Sequence, residues 1–342
     1  MPKILVLFTG GTVGCKASGG EIGLDGEDRF KLLELYTNRY GKDDVEFIPL
    51  SPFFMLSETL SGLKIQQLCE SVENSIAKYC EEIAGIIVTH GSDTLQYSGA
   101  ALALYLGKVK VPVILVASNY VLEDERANGL SNFRGAVLGI CNKILPCVYI
   151  AYKNAEEPVN LHIATRCLPH GHLDDRLYSL VGIRYSYEED VEHWNSFSDA
   201  GEEIANVTLS LPEKEHSPVM WCPIYPGVVY PKELDEMSAV LLSTYHSGTL
   251  TGGAELTRFL SMAKEMEVPV FLCGNGIEES YTSVKEWDDG VCILPVSSPI
   301  AIYMKLWLLT ETYQQNMLLQ KKETLQDYLK HKILENIAEE FV

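Results

Sequence analysis

Hydrophobic positions along the chain gather in short runs at residues 4–8, 45–49, 85–88, 113–116 and 147–151, broken by a charge only at Glu46. Between them, residues 30–40, 63–82, 94–106 and 128–142 carry apolar side chains at helical spacing. Strands that are apolar throughout and alternate with helices predict a parallel sheet covered on both faces. The first half of the chain is therefore expected to be a doubly wound α/β domain. The pattern breaks at 185–218 into an acidic stretch with no long helical face, then resumes with strands near 219–225, 239–245 and 268–273 and helices near 255–266 and 299–310. A last amphipathic helix is expected over 322–341, lying on the surface. The expected fold class is α/β with two domains. A larger N-terminal domain, 1–186, is built on a doubly wound, mainly parallel sheet, a linker runs over 187–217, and a smaller α/β domain occupies 218–342.

Length agrees with this division, since 342 residues is about twice a typical single domain. The charge narrows the partners. Lys and Arg number 27 against 47 Asp and Glu, a net −20, and so negative a surface repels phosphate backbones, which argues against nucleic acid. No apolar run approaches the roughly 20 residues that span a bilayer, so no membrane partner is expected. The five apolar residues at 4–8 are too few for a secretory signal, and nine cysteines without a C-x-x-C pair fit reduced thiols in a cytoplasm.

Two glycine turns carry candidate chemistry. Thr9-Gly10-Gly11-Thr12-Val13-Gly14 follows the first strand but lacks the spacing of a dinucleotide fingerprint and the lysine of a phosphate loop. It offers the Thr12 hydroxyl beside backbone N–H groups free to hold an oxyanion, or else is a plain strand-to-loop turn. Thr89-His90-Gly91-Ser92-Asp93-Thr94 follows another strand and precedes a helix, where Ser92, Asp93 or Thr94 would equally serve as a cap. Both turns fall at the carboxyl edge of one parallel sheet, the edge at which such sheets bind ligands. Cys167-Leu168-Pro169-His170-Gly171-His172, followed by Asp174 and Asp175, fits no common zinc spacing and is expected to be a solvated loop near the site, with no metal bound. His246, after a second-domain strand, is expected to be hydrogen-bonded structure.

The two turns, together with Arg126-Ala127-Asn128-Gly129-Leu130-Ser131-Asn132 and with Tyr225-Pro226-Gly227 and Ser243-Thr244-Tyr245, resemble the bacterial-type L-asparaginase family, nearest its cytoplasmic type I branch. The resemblance implies hydrolysis of a side-chain amide through a threonine acyl-enzyme, with no metal or organic cofactor. It implies Thr12 as nucleophile and Ser92 in place of the threonine of a second hydroxyl–lysine–aspartate triad. Asp93 matches that triad's aspartate, and Ser57 the serine that holds a substrate carboxylate. Arg166 aligns with the triad lysine, Glu21 stands nearest the place of a loop tyrosine, and Glu58 occupies a position usually held by a neutral polar side chain. Gly11, Gly91 and Ser118 complete the substrate-binding set. The expected partner is a small-molecule amide, L-asparagine first, in a homodimer or homotetramer whose neighbouring subunit completes the site. Another small amide handled by the same mechanism, or a non-catalytic ligand-binding role, stands as the alternative.

Overall fold

The computed structural model describes residues 1–11, 15–18, 21–24, 30–41, 45–79, 81–197, 204–273, 290–316 and 323–342, with 15–18 and 21–24 as backbone alone. Each apolar run of the first half is a strand: β1 (Lys3–Phe8), then β4 (Glu46–Leu50), β5 (Gly85–Thr89), β6 (Val113–Val116) and β7 (Val148–Lys153), all parallel, with the hairpin β2 (Cys15–Ser18) and β3 (Glu21–Leu24) lying outside their sheet. Three antiparallel strands extend the sheet, β8 (Val159–Ile163), β9 (Ile183–Glu188) and β10 (His193–Ser196), giving the order β10-β9-β8-β7-β6-β5-β1-β4. The linker expected at 187–217 therefore begins inside β9, and its first residues belong to the large sheet. Alternate positions of β9 and β10 bury Tyr185, Tyr187 and the Trp194 ring against one another, with Tyr185 stacked on Trp194 at 5.8 Å. That aromatic face holds down an edge which the acidic residues around it would otherwise leave in solvent.

Helices α1 (Lys31–Tyr40) and α4 (Gly129–Cys141) cover one face of the sheet through Leu32, Tyr36, Phe133, Val137 and Ile140. On the other lie α2 (Gly62–Tyr79) and α3 (Leu95–Leu106). The second sheet is parallel in the order β11 (Val219–Cys222), β12 (Ala239–Ser243), β13 (Val270–Cys273) and β14 (Cys292–Ile293), with α5 (Ala254–Glu265) on one face. The helix α6 (Pro299–Asn316) is buried nearly all round between Ile300 and Thr312, as a helix packed on several sides must be. It lies against α3, β11 and β12, so one continuous core runs from Leu5 and Leu7 of the first sheet to Leu241 and Phe271 of the second.

The surface helix expected over 322–341 is shorter and its end is buried. α7 (Leu325–Lys332) is capped by Thr324, and beyond it the chain turns inward. Glu340 is fully buried, where its carboxylate accepts the Ile337 and Ala338 N–H groups at 3.1 and 2.7 Å and pairs with Lys305 Nζ at 2.5 Å. A carboxylate that binds N–H groups two and three residues behind it holds a turn in competition with helix. Among the described residues no helix is long and apolar enough to cross a membrane, and the seven cysteines with described side chains form no disulfide.

The parallel strands run in the order β4-β1-β5-β6-β7, so the chain leaves β1 toward one side and returns to the other for β5. This reversal opens a crevice beyond the carboxyl ends of β1 and β5. Both glycine turns start there.

Candidate active site

Thr9 follows β1, and its hydroxyl donates to the Thr89 carbonyl at 2.6 Å and so ties the ends of β1 and β5 together. Gly10 and Gly11 then take φ of +129° and +83°, conformations that favour glycine. Space demands glycine as well. A Cβ on Gly10 would stand 3.0 Å from the Met55 nitrogen, and one on Gly11 would overlap the His90 carbonyl and the Gly91 nitrogen. The first turn is thus pressed directly onto the backbone of the second. Thr12 follows Gly11 and, with 13–14, lies outside the described residues.

The second turn is braced by His90. Its Nδ1 lies 2.8 Å from the Gly91 carbonyl, which can only accept, so the ring donates there and its Nε2 accepts from the Ser98 hydroxyl at 2.8 Å. Burial pushes the His90 pKa below its ordinary value, against the opposing effect of the Gly91 bond, and the ring stays neutral. From this support Ser92 and exposed Asp93 project at the start of α3, with Ser92 half-buried.

A third segment closes the group. Ser57, buried in a short 3-10 turn, donates to Asp93 Oδ2 at 3.3 Å, and its carbonyl accepts the Thr94 hydroxyl at 2.9 Å. A Cβ on Gly91 would meet the Ser57 side chain and lie 3.5 Å from the Gly11 Cα. Gly11, Ser57, Gly91, Ser92 and Asp93 are therefore one cluster, and Glu58 is exposed beside it.

Ser92 and Asp93 line a cleft of about 300 Å³ together with Asn119, Tyr152, His170, Leu173 and Asp175. The expected solvated loop forms one wall, for His170 Nδ1 meets the Arg176 carbonyl at 3.0 Å and the Tyr152 hydroxyl donates to the Asp175 carbonyl at 2.6 Å. Burial raises the Tyr152 pKa to about 12, so the phenol stays protonated. Asn119 and Tyr152 escaped notice in the sequence. The available signal was position, since each lies at or just past the carboxyl end of a predicted strand.

The Arg126–Asn132 motif builds the neighbouring wall. Asn128 and Asn119 exchange backbone-to-side-chain bonds at 3.1 and 3.0 Å, Asn128 Nδ2 donates to the Lys153 carbonyl, and Asn132 bridges Ala117 to Lys153. Two asparagines thereby stitch the ends of β6 and β7 together. Ser118 is fully buried and donates to the Tyr120 carbonyl at 2.6 Å behind this wall, with Gly129 packed against it.

Arg166 is the departure. It was expected beside Asp93, but β8 runs antiparallel to β7 and ends with Ile163 opposite Tyr149, near the amino end of the parallel strands. Arg166 follows at that far edge, 6% exposed, with Nε on the Glu339 carbonyl at 2.7 Å, Nη2 on the Phe341 carbonyl at 2.8 Å and Nη1 on the Val181 carbonyl at 3.4 Å. Its guanidinium is committed to the inward-turned end of the chain. Glu21 belongs to β3 by backbone, and its side chain is outside the described residues. His246 follows β12 and lines none of the cleft.

Residues 3–168 match the family described as asparaginase, N-terminal. The L-asparaginase of Thermococcus kodakarensis is 29% identical over 153 residues, which cover 44% of this chain and 44% of that protein, so the matched stretch is less than half the relative's length. In three dimensions the thermostable L-asparaginase from Thermococcus kodakarensis superposes over 99% of both chains with a TM-score of 0.76 at 19% identity. L-asparaginase I from Vibrio cholerae does so over 100% of this chain and 99% of its own, with a TM-score of 0.75 at 20% identity. The likeness of fold extends through both sheets.

Proposed function

Since residues 3–168 make this chain a member of the asparaginase family, we propose that it is an amidohydrolase releasing ammonia from the side-chain carboxamide of L-asparagine. The observation that carries the reading is the closure of Gly11 onto the His90–Gly91 peptide at the topological reversal, with Ser57 bonded to Asp93 beside it.

In this reading the Thr12 hydroxyl, one residue beyond Gly11, attacks the amide carbon. Backbone N–H groups near Gly11 and Gly91 hold the oxyanion, as fixed donors in a water-poor crevice do at least cost in reorganisation. Collapse expels ammonia and leaves an ester on Thr12, which water then cleaves. Ser92 and Asp93 act on the proton side of the reaction, and Ser57 holds the substrate carboxylate. The protein works without metal or cofactor, in the cytoplasm, as a homodimer or homotetramer whose neighbour completes the pocket.

A second reading keeps the mechanism and changes the amide. Exposed Glu58, beside the proposed carboxylate-binding Ser57, disfavours a second negative charge and so favours a modified asparagine or small peptide amide. Ammonia release across L-asparagine, L-glutamine, N-acetyl-asparagine and an asparaginyl dipeptide separates the two. Asparagine turned over best supports the first, a blocked or peptidic amide the second. A wild-type protein silent on every amide, yet binding one of them, points to a ligand-binding relative and overturns both.

A further inference from the structure

β8, β9 and β10 set Asn160, Ser186 and Asn195 opposite one another, so the three side chains stand in one row on the face of the sheet away from Tyr185, Tyr187 and Trp194. With Pro158, Val181, Ile183 and Phe197 they line a groove of about 530 Å³, which shares no lining residue with the cleft of Ser92 and Asp93. Its walls are apolar and open to solvent, with Val181 79%, Phe197 63% and Ile183 39% exposed. Large apolar side chains gathered around a concavity mark a binding surface, as the same side chains scattered singly do not. The floor is polar and unsatisfied. Asn160 is only 5% exposed, yet its side-chain amide makes no hydrogen bond among the described residues. A buried amide left without a bond is costly, and a ligand that bonds to it removes that cost. The wall is held from behind, where Arg166 Nη1 donates to the Val181 carbonyl at 3.4 Å and the Leu180 N–H to the Arg166 carbonyl at 2.9 Å. These bonds fix Val181 at φ +42°, a conformation that a β-branched residue rarely adopts. The groove is thus formed before anything binds.

Charge selects the occupant. Glu188 stands in the groove beside Pro158, and the hollow that adjoins both is lined by Glu156, Glu157, Glu189 and Asp190. Lys153, the cation of that hollow, lies 3.4 Å from Glu189, which Arg39 also approaches at 3.4 Å. The cations behind the wall are turned inward, Arg166 onto backbone carbonyls and Arg184 onto Glu339. The open end is therefore negative and suited to a positive group. A second copy of this chain, at net −20, matches it poorly. Asn160 offers a donor and an acceptor together, and a peptide group answers both in one unit. We propose that the groove docks a peptide segment of another protein, one in which a large apolar side chain stands next to a lysine or arginine. The apolar side chain enters between Val181, Ile183 and Phe197, the peptide group pairs with Asn160, and the cation reaches Glu188. This site is independent of the proposed amide hydrolysis.

The test selects binders to the whole wild-type protein from a phage-displayed library of short random peptides, then measures the enriched peptides, resynthesised with a fluorophore, by anisotropy. The expected peptides pair a large apolar residue with a lysine or arginine, and their Kd rises at least about tenfold in Phe197→Ser and in Asn160→Leu. Asn160→Leu keeps the branched shape and removes both polar atoms, so its melting temperature holds or rises while binding falls. A merely structural asparagine gives the reverse, early melting with binding per folded molecule intact, and that result overturns the proposal. Should Asn160→Leu fail to fold, Phe197→Ser, altered at an exposed position, decides alone. Enriched peptides that are basic without an apolar residue, or that bind Phe197→Ser as well as wild type, report general attraction to an acidic chain and overturn it. A library with no enriched peptide does the same. A wild-type dimer in sedimentation that Phe197→Ser dissociates gives the groove to a second copy, and the proposal falls.

Discussion

Gly91 faces Ser57 so closely that a Cβ on Gly91 would stand 2.5 Å from the Ser57 Cβ. Ser57 has nowhere to retreat, because its hydroxyl reaches Asp93 and its carbonyl holds Thr94. Two turns far apart in sequence are thereby fixed in one arrangement by missing side chains. Gly91→Ala is expected to cost about 1–3 kcal/mol of stability through overpacking and to lower turnover per folded molecule, because Asp93 must shift with Ser57. Urea melts together with ammonia release check both halves, and an alanine variant matching wild type in each would show that the contact relaxes freely.

Thr12→Ala is expected to reduce ammonia release at least about a hundredfold with an unchanged melting curve, since covalent catalysis loses its nucleophile. Retention of most of the activity would remove Thr12 from that role. Mass spectrometry of the wild type quenched during turnover should find the acyl group on a peptide containing Thr12.

Ser92→Ala is expected to lower turnover severely while Ser92→Thr keeps it, the hydroxyl being the shared feature. Were Ser92 only a helix cap, the alanine variant would lose about 1 kcal/mol and react at the wild-type rate per folded molecule. Measuring stability and rate on the same samples separates the two.

Arg166→Ala should be a stability variant. It strips the donors from the Glu339 and Phe341 carbonyls, and leaving such groups buried and unpaired costs roughly 2–4 kcal/mol. The folded fraction should hydrolyse amides at the wild-type rate. A large loss of kcat with an unchanged melting temperature would bring Arg166 back into the chemistry.

Acid should destabilise the fold through His162. Burial holds its pKa at about 4, whereas in the unfolded chain it titrates near its ordinary 6.5. Between those values the unfolded state binds the extra proton, so the stability is complete above about 6.5 and falls as pH drops toward 4. His90 pulls in the same direction. The His162 share reaches about 3 kcal/mol at full protonation. His162→Gln should flatten the stability profile between pH 7 and 4, and an unaltered slope would assign the acid sensitivity elsewhere.

The parallel half of the fold was legible because its central strands are buried on both faces and so are apolar nearly throughout, as at Ile86 to Val88. β8 was missed for the converse reason. Its Asn160 and His162 are buried polar side chains, and His162 is made tolerable by Ser179, a partner that only the fold supplies. The two glycine turns were legible as turns, and their closure onto each other was not, because nothing local to Gly11 names His90. Arg166 shows the limit of a motif. Matching a neighbouring sequence gives a residue its place along the chain, while the antiparallel return of β8 decides which edge of the sheet that place reaches. The end of the chain misled for a similar reason, since the spacing at 322–341 is amphipathic, yet Glu340 finds Lys305 inside.

The packing of α6 over α3 gives the protein a history as well as a shape. α3 opens with the turn that carries Ser92 and Asp93, and the helix that covers it comes from near the other end of the chain. During synthesis the first sheet therefore emerges with Ala100 to Leu104 of α3 still uncovered, and that apolar surface, the kind through which partly made chains aggregate, stays open until α6 arrives.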